Sequence, residues 1–194
     1  AINYVAAETL LRDPQDQLNG QVNGVTLRDA VTGETCDLRA RVVINATGAW
    51  VDHLREQVGL HRTIRPLRGS HIIIPASKIK VTDALTLFHP QDKRAVFIFP
   101  WEGTTVIGTT DLDHDLPLNT EPGITQTELD YLLQLAQQQF PAAHVTAADV
   151  ISSYAGVRPV ISQNRKKDPS KEKRDHQVWV DKGLISVSGG KLTT

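Results

Sequence analysis

Three short runs rich in β-branched and aromatic residues, each closed by proline or by a turn, constrain this chain more than anything else in it. They are Gly69-Ser-His-Ile-Ile-Ile-Pro75, Ala95-Val-Phe-Ile-Phe-Pro100 and Thr104-Thr-Val-Ile-Gly-Thr-Thr110. Runs of this length and make-up form strands, and a closing proline withholds the N–H that a continuing ladder needs. Trp101-Glu102-Gly103 leaves room only for a tight turn, so the second and third runs form a hairpin. One stretch has the helical period instead. Thr125 to Phe140 places Leu129, Leu132, Leu133, Ala136 and Phe140 on one face, with Thr125 and Glu128 as a capping box and Pro141 as the stop. An antiparallel sheet with one long helix is the expected middle of the chain.

The flanks read differently. Residues 1–46 are β-structure, with Val22 to Asp29 and Thr35 to Arg41 alternating loosely around Asn23-Gly24 and Thr32-Gly33, which predicts a small antiparallel meander. Arg41-Val-Val-Ile-Asn-Ala-Thr-Gly48 is an apolar strand of the kind that an α/β sheet covers on both faces. Ala49 to Val58 follows as a helix stopped by Gly59. Asp149 to Val160 predicts another strand, with Arg158 just before Pro159. Gln163 to Asp175 reads as an exposed polar loop, and Gln177–Asp181 with Leu184–Ser188 as a hairpin turned at Lys182-Gly183. An α/β portion at each end of a β-rich middle is the pattern of one domain inserted into another.

Charge and composition exclude several classes. A net charge of −1 gives no general attraction to nucleic acid, and no apolar run approaches the roughly 20 residues of a membrane span. Cys36 stands alone, which excludes a disulfide framework and points to a reducing compartment. The seven histidines never fall at zinc spacing. Asp111-Leu-Asp-His-Asp-Leu116 begins like a calcium loop, but Leu116 stands where glycine is needed and Pro122 where glutamate is needed, so no metal site is expected. The basic run from Arg165 to Arg174 mixes signs without interleaved aromatics and reads as a solvated loop. The chain opens on Ala-Ile-Asn-Tyr and contains no methionine. It stops just after Gly189-Gly190-Lys191, where a helix should begin, so a piece of something longer is expected.

Three positions carry candidate chemistry, and each keeps a plainer alternative. Arg158 is either a bidentate anion clamp or half of a structural ion pair. Lys191, behind two glycines, is either an anion ligand or a surface lysine. His71 is either a base or a satisfied structural histidine.

Taken in order, five blocks resemble the FAD-dependent glycerol-3-phosphate dehydrogenases of the D-amino acid oxidase-like superfamily. The blocks are Val42-Val-Ile-Asn-Ala-Thr-Gly-Ala-Trp-Val51, Arg68-Gly-Ser-His-Ile72, Phe99-Pro-Trp-Glu-Gly103 with Ile107-Gly-Thr-Thr-Asp111, Tyr154-Ala-Gly-Val-Arg-Pro159 and Ser188-Gly-Gly-Lys-Leu-Thr-Thr194. The resemblance implies an α+β and α/β fold: an antiparallel substrate-binding cap with a helix over residues 61–180. Partial segments of a Rossmann-like FAD domain fill 1–60 and 181–194. It assigns Ala46, Thr47, Gly48, Trp50, Gly189, Gly190, Leu192 and Thr193 to FAD, and His71, Arg158 and Lys191 to the substrate. The implied reaction oxidises glycerol 3-phosphate to dihydroxyacetone phosphate and passes electrons to quinone. It is placed peripherally on the inner face of the cytoplasmic membrane, with a homodimer left open. Imidazole of near-neutral basicity suits the proton step, and arginine with lysine suits a phosphate dianion. An oxidase forming peroxide and a non-catalytic binding module are the competing readings. No G-x-G-x-x-G occurs in the chain, so by itself it is expected to be colourless and inactive.

Overall fold

A computed structural model describes residues 1–13, 20–162 and 175–190. They fall into two compact units: Pro66–Arg158, and Ala1–Arg65 with the described residues from Pro159 onward. The architecture is α+β, as the sequence predicts, with sheets dominating and the described α-helices few.

In the unit containing the chain's first residues, β1 (Val5–Arg12), β2 (Val22–Asp29) and β3 (Thr35–Arg39) form the expected antiparallel meander. A second sheet has the order β11 (His176–Asp181), β12 (Leu184–Gly189), β4 (Val43–Asn45). The β11–β12 hairpin turns at Lys182-Gly183, both at positive φ, whereas β12 and β4 run parallel with Ser186 opposite Asn45. The β4 strand is much shorter than the apolar run predicts. Thr47 Oγ1 donates to Asn45 Oδ1 at 2.7 Å and Gly48 opens a 3₁₀ turn, which takes the chain out of the sheet. Nor is it covered on both faces. Val43 packs with Leu10, Val22, Leu54, Val58 and Leu184, while Ile44 points the other way and is 68% exposed. Helix α1 (Val51–Gln57) ends as predicted at Gly59. The Gly59 N–H donates to Glu56 O at 3.0 Å and the Leu60 N–H to Arg55 O at 3.2 Å, a Schellman closure.

The other unit holds a sheet of order β10 (Ser152–Ile161), β5 (Ile64–Pro75), β8 (Thr104–Gly108), β7 (Ala95–Trp101), β6 (Leu85–Phe88). The two-residue β9 (Leu112–Asp113) pairs with the early part of β5. The predicted hairpin is β7–β8, turned at Glu102-Gly103. Helix α2 (Gln126–Gln139), with its Thr125–Glu128 capping box in place, lays Leu132, Leu133, Leu135 and Ala136 against Ile72, Ile74, Val96, Ile98 and Ile107. Strand residues alternate between faces, so the residues between these look away from the helix.

β5 runs further than the sequence implies: it begins at Ile64 rather than Gly69, which puts His71 well inside the strand. β10 continues through Pro159 as the sequence predicts, with Arg158 inside it. An outermost strand tolerates the N–H that Pro159 lacks, which is why the proline does not end it.

Candidate active site

The two faces of β5 do different jobs. On the helix side, Arg68 and Ser70 reach the carboxylate of Glu128, whose side chain has no exposed surface. Arg68 Nη2 lies 2.9 Å from Oε2, and the Ser70 and Thr110 hydroxyls donate to Oε1 at 2.8 and 2.7 Å. The backbone N–H and hydroxyl of Thr125 donate to Oε2 at 2.9 and 2.8 Å. Burial works to raise the pKa of Glu128, but the hydrogen bonds from Thr110, Thr125 and Arg68 outweigh it and hold it at about 2. This ionised anchor fixes the strand on both sides of Gly69.

On the opposite face lie His71 and Arg158. A Cβ at Gly69 would overlap the Arg158 guanidinium and stand 2.5 Å from Thr109 Oγ1, so glycine there is what lets the arginine lie across β5. Arg158 Nη2 donates to Thr109 Oγ1 at 2.9 Å and Nη1 to Asp111 Oδ1 at 3.0 Å, with 29% of the side chain exposed. The ion pair left open by the sequence is therefore present, and the guanidinium still reaches solvent. His71 stacks on Tyr154, centroids 4.5 Å apart and rings 8° from parallel. Its Nδ1 is buried without a hydrogen-bond partner. Burial first, and the nearby Arg158 charge second, push the His71 pKa down to about 4. The imidazole is thus neutral throughout the physiological range. That is well below the near-neutral basicity expected from the sequence, because a protonated ring would be a partly desolvated cation facing another cation.

In the other unit, the parallel pair β4–β12 brings two glycine turns to the same edge. Ala46-Thr47-Gly48 leaves β4 and Gly189-Gly190 ends β12, with the Ser188 hydroxyl 3.4 Å from Gly48 O. Gly48 and Gly190 have positive φ, and a Cβ on Gly48 would meet nothing within 4 Å. Gly189 differs: a side chain there would overlap the Asp175 carbonyl, so the molecule's own packing already requires glycine. Ala46 and Thr47 are exposed, as is Trp50, 51% exposed at the start of α1. Lys191, Leu192 and Thr193 lie outside the described residues. No group of His, Cys, Asp and Glu able to hold a metal ion occurs among the described residues.

The family model described as FAD dependent oxidoreductase matches residues 5–194. The chain belongs to this family. Among its relatives in it, the aerobic glycerol-3-phosphate dehydrogenase of Staphylococcus aureus (strain MRSA252) is 37% identical over 195 residues, covering 99% of this chain and 34% of that protein. The glycerol-3-phosphate dehydrogenase of Bacillus halodurans, solved in complex with FAD, superimposes with a TM-score of 0.82 at 34% identity, over 100% of this chain and 36% of that one. The L-alpha-glycerophosphate oxidase of Mycoplasma pneumoniae, also with FAD bound, shares the fold at a TM-score of 0.62 and 16% identity, over 95% of this chain and 44% of that one. This chain therefore spans about a third of the length of the curated relatives it matches. For an FAD-dependent oxidoreductase the β4–β12 edge fits its cofactor: it lies at the carboxyl ends of parallel strands, where such sheets take ligands, and its turns at Gly48 and Gly190 carry no side chain.

Sequence reasoning named His71 and Arg158 but not what holds them. Asp111 opens the rejected calcium loop and closes the Ile107–Asp111 block, and it stands 47 residues from the arginine it pairs with. No local pattern announces such a partner.

Proposed function

We propose that the protein carrying this chain oxidises the C2 hydroxyl of glycerol 3-phosphate to the ketone of dihydroxyacetone phosphate and delivers the electrons to quinone. It works peripherally on the inner face of the cytoplasmic membrane; among the described residues no helix is long and apolar enough to cross one. The observation that carries this reading is a neutral imidazole and a partly exposed guanidinium on the helix-free face of one sheet. The names of the relatives from Staphylococcus aureus and Bacillus halodurans support it.

Ala46, Thr47, Gly48, Trp50, Gly189, Gly190, Leu192 and Thr193 would hold FAD, which would supply the two-electron oxidising chemistry when bound. His71 accepts the hydroxyl proton as the C2–O bond becomes a carbonyl. Arg158 forks onto the phosphate, with Lys191 as a second cation. Substrate also tunes the base. A phosphate dianion on Arg158 offsets the charge that depresses His71, so the imidazole gains basicity when there is a proton to take.

The test is glycerol 3-phosphate-dependent reduction of a quinone analogue by the parent protein, with peroxide measured alongside. Reduction without peroxide is expected. Stoichiometric peroxide would replace quinone by oxygen as the acceptor, and no turnover at all would leave a binding module.

A further inference from the structure

The geometry points to Tyr154 as the positioning residue for His71: stacked on the imidazole, its ring fixes how that imidazole is turned and which nitrogen it presents. A functional histidine is ordinarily oriented by a hydrogen bond at one ring nitrogen, which sets the tautomer at the other. Among the described residues His71 shows no such bond, and its Nδ1 is buried with no partner. Packing must therefore supply the orientation, and two neighbours do so. Gly108 lies directly across from His71 on β8, and a Cβ there would overlap Cδ2 and stand 2.6 Å from Cγ. The missing side chain is thus the seat in which the ring lies. Tyr154, on the neighbouring β10, stacks on the ring 8° from parallel, so the imidazole cannot flip without displacing it. The charge that acts on the imidazole is Arg158 on the same β10, itself held to Asp111 at 3.0 Å, and it opposes a second positive charge on the ring.

Tyr154 is 48% exposed and belongs to neither apolar cluster, so its ring face rather than burial is what the site uses. The phenol oxygen is dispensable on this view, and the aromatic face is not. The consequence for catalysis rests on the proposed role of His71 as proton acceptor, but the orientation itself does not.

Nitrogen NMR of His71 in this chain, without flavin or substrate, separates the two. In the wild type and in Tyr154→Phe, one neutral tautomer and the same low titration midpoint are expected. In Tyr154→Leu, the midpoint should rise by about one unit towards the ordinary histidine value as the ring is released to solvent, and both tautomers should appear. Unchanged tautomer and midpoint in Tyr154→Leu would overturn the assignment, as would a shift in Tyr154→Phe equal to that in Tyr154→Leu. Should the leucine variant fail to fold, the wild type still decides. Ring protons of His71 must show the upfield shift of a stacked partner, and its absence overturns the proposal. An inactive parent protein would defeat the proposed function while leaving this result untouched.

Discussion

One carboxylate, Glu128, joins α2 to β5, the strand that carries His71, and to Thr110 just beyond β8, and replacing it tests that joint. Glu128→Ala strands the Arg68 guanidinium and removes the acceptor for Ser70, Thr110 and Thr125. Breaking a buried pair in this way costs about 3–5 kcal/mol, read as a large fall in Tm by thermal unfolding. The same residue gives an acid signature. Its pKa falls from 4.5 to about 2 on folding, so its contribution is complete above 4.5 and is lost as pH falls through 2. His71 acts at higher pH with the same sign. Its folded pKa of about 4 lies below the ordinary 6.5, so the stability tied to its neutral form is present above 6.5 and disappears as pH falls through 4. Denaturant unfolding at stepped pH should show loss beginning near the upper value in the wild type. His71→Gln should shrink that upper phase to the part carried by His114, whose pKa burial also lowers, and keep the lower one. At the same scale, Arg158→Ala should raise KM for glycerol 3-phosphate by about tenfold or more, the worth of a charged hydrogen bond. An unchanged KM would take Arg158 out of the phosphate site.

Strands and helices divide into those readable from local pattern and those set by distant partners. The β7–β8 hairpin and α2 were legible because Glu102-Gly103 and the Thr125–Glu128 box state their own geometry. The ends of β4 and β5 were not. β4 stops where Thr47 turns back onto Asn45, and the early part of β5 is taken up by β9, which pairs with Leu67 and Arg68. His71 and Arg158 were legible as residues, yet their neighbours Tyr154, Gly69, Gly108 and Asp111 are assembled by strand register. Register makes its own prediction. Gly69→Ala should displace the Arg158 guanidinium and raise KM in the direction of Arg158→Ala, with Tm altered far less than in Glu128→Ala. A KM equal to wild type would show that the arginine does not need the space above β5.

At the scale of the molecule, the sequence lacks the glycine-rich turn that grips the pyrophosphate of a dinucleotide, while the β4–β12 edge offers bare turns alone. The chain purified by itself is expected to carry no stoichiometric flavin, which visible absorbance checks directly. The order of strands has another outcome. β12 lies between β11 and β4, and Asn45 and Ser186, hydrogen-bonded at 3.4 Å, are 141 residues apart in the chain. Among the described residues the other unit is one continuous stretch, Pro66–Arg158. A ribosome reading this message therefore delivers everything the inserted unit needs while the unit begun first still waits for its middle strand. Brief proteolysis of stalled nascent chains should find residues 66–158 protected before Leu184 has emerged, and β4 protected only afterwards. What is translated first is finished last.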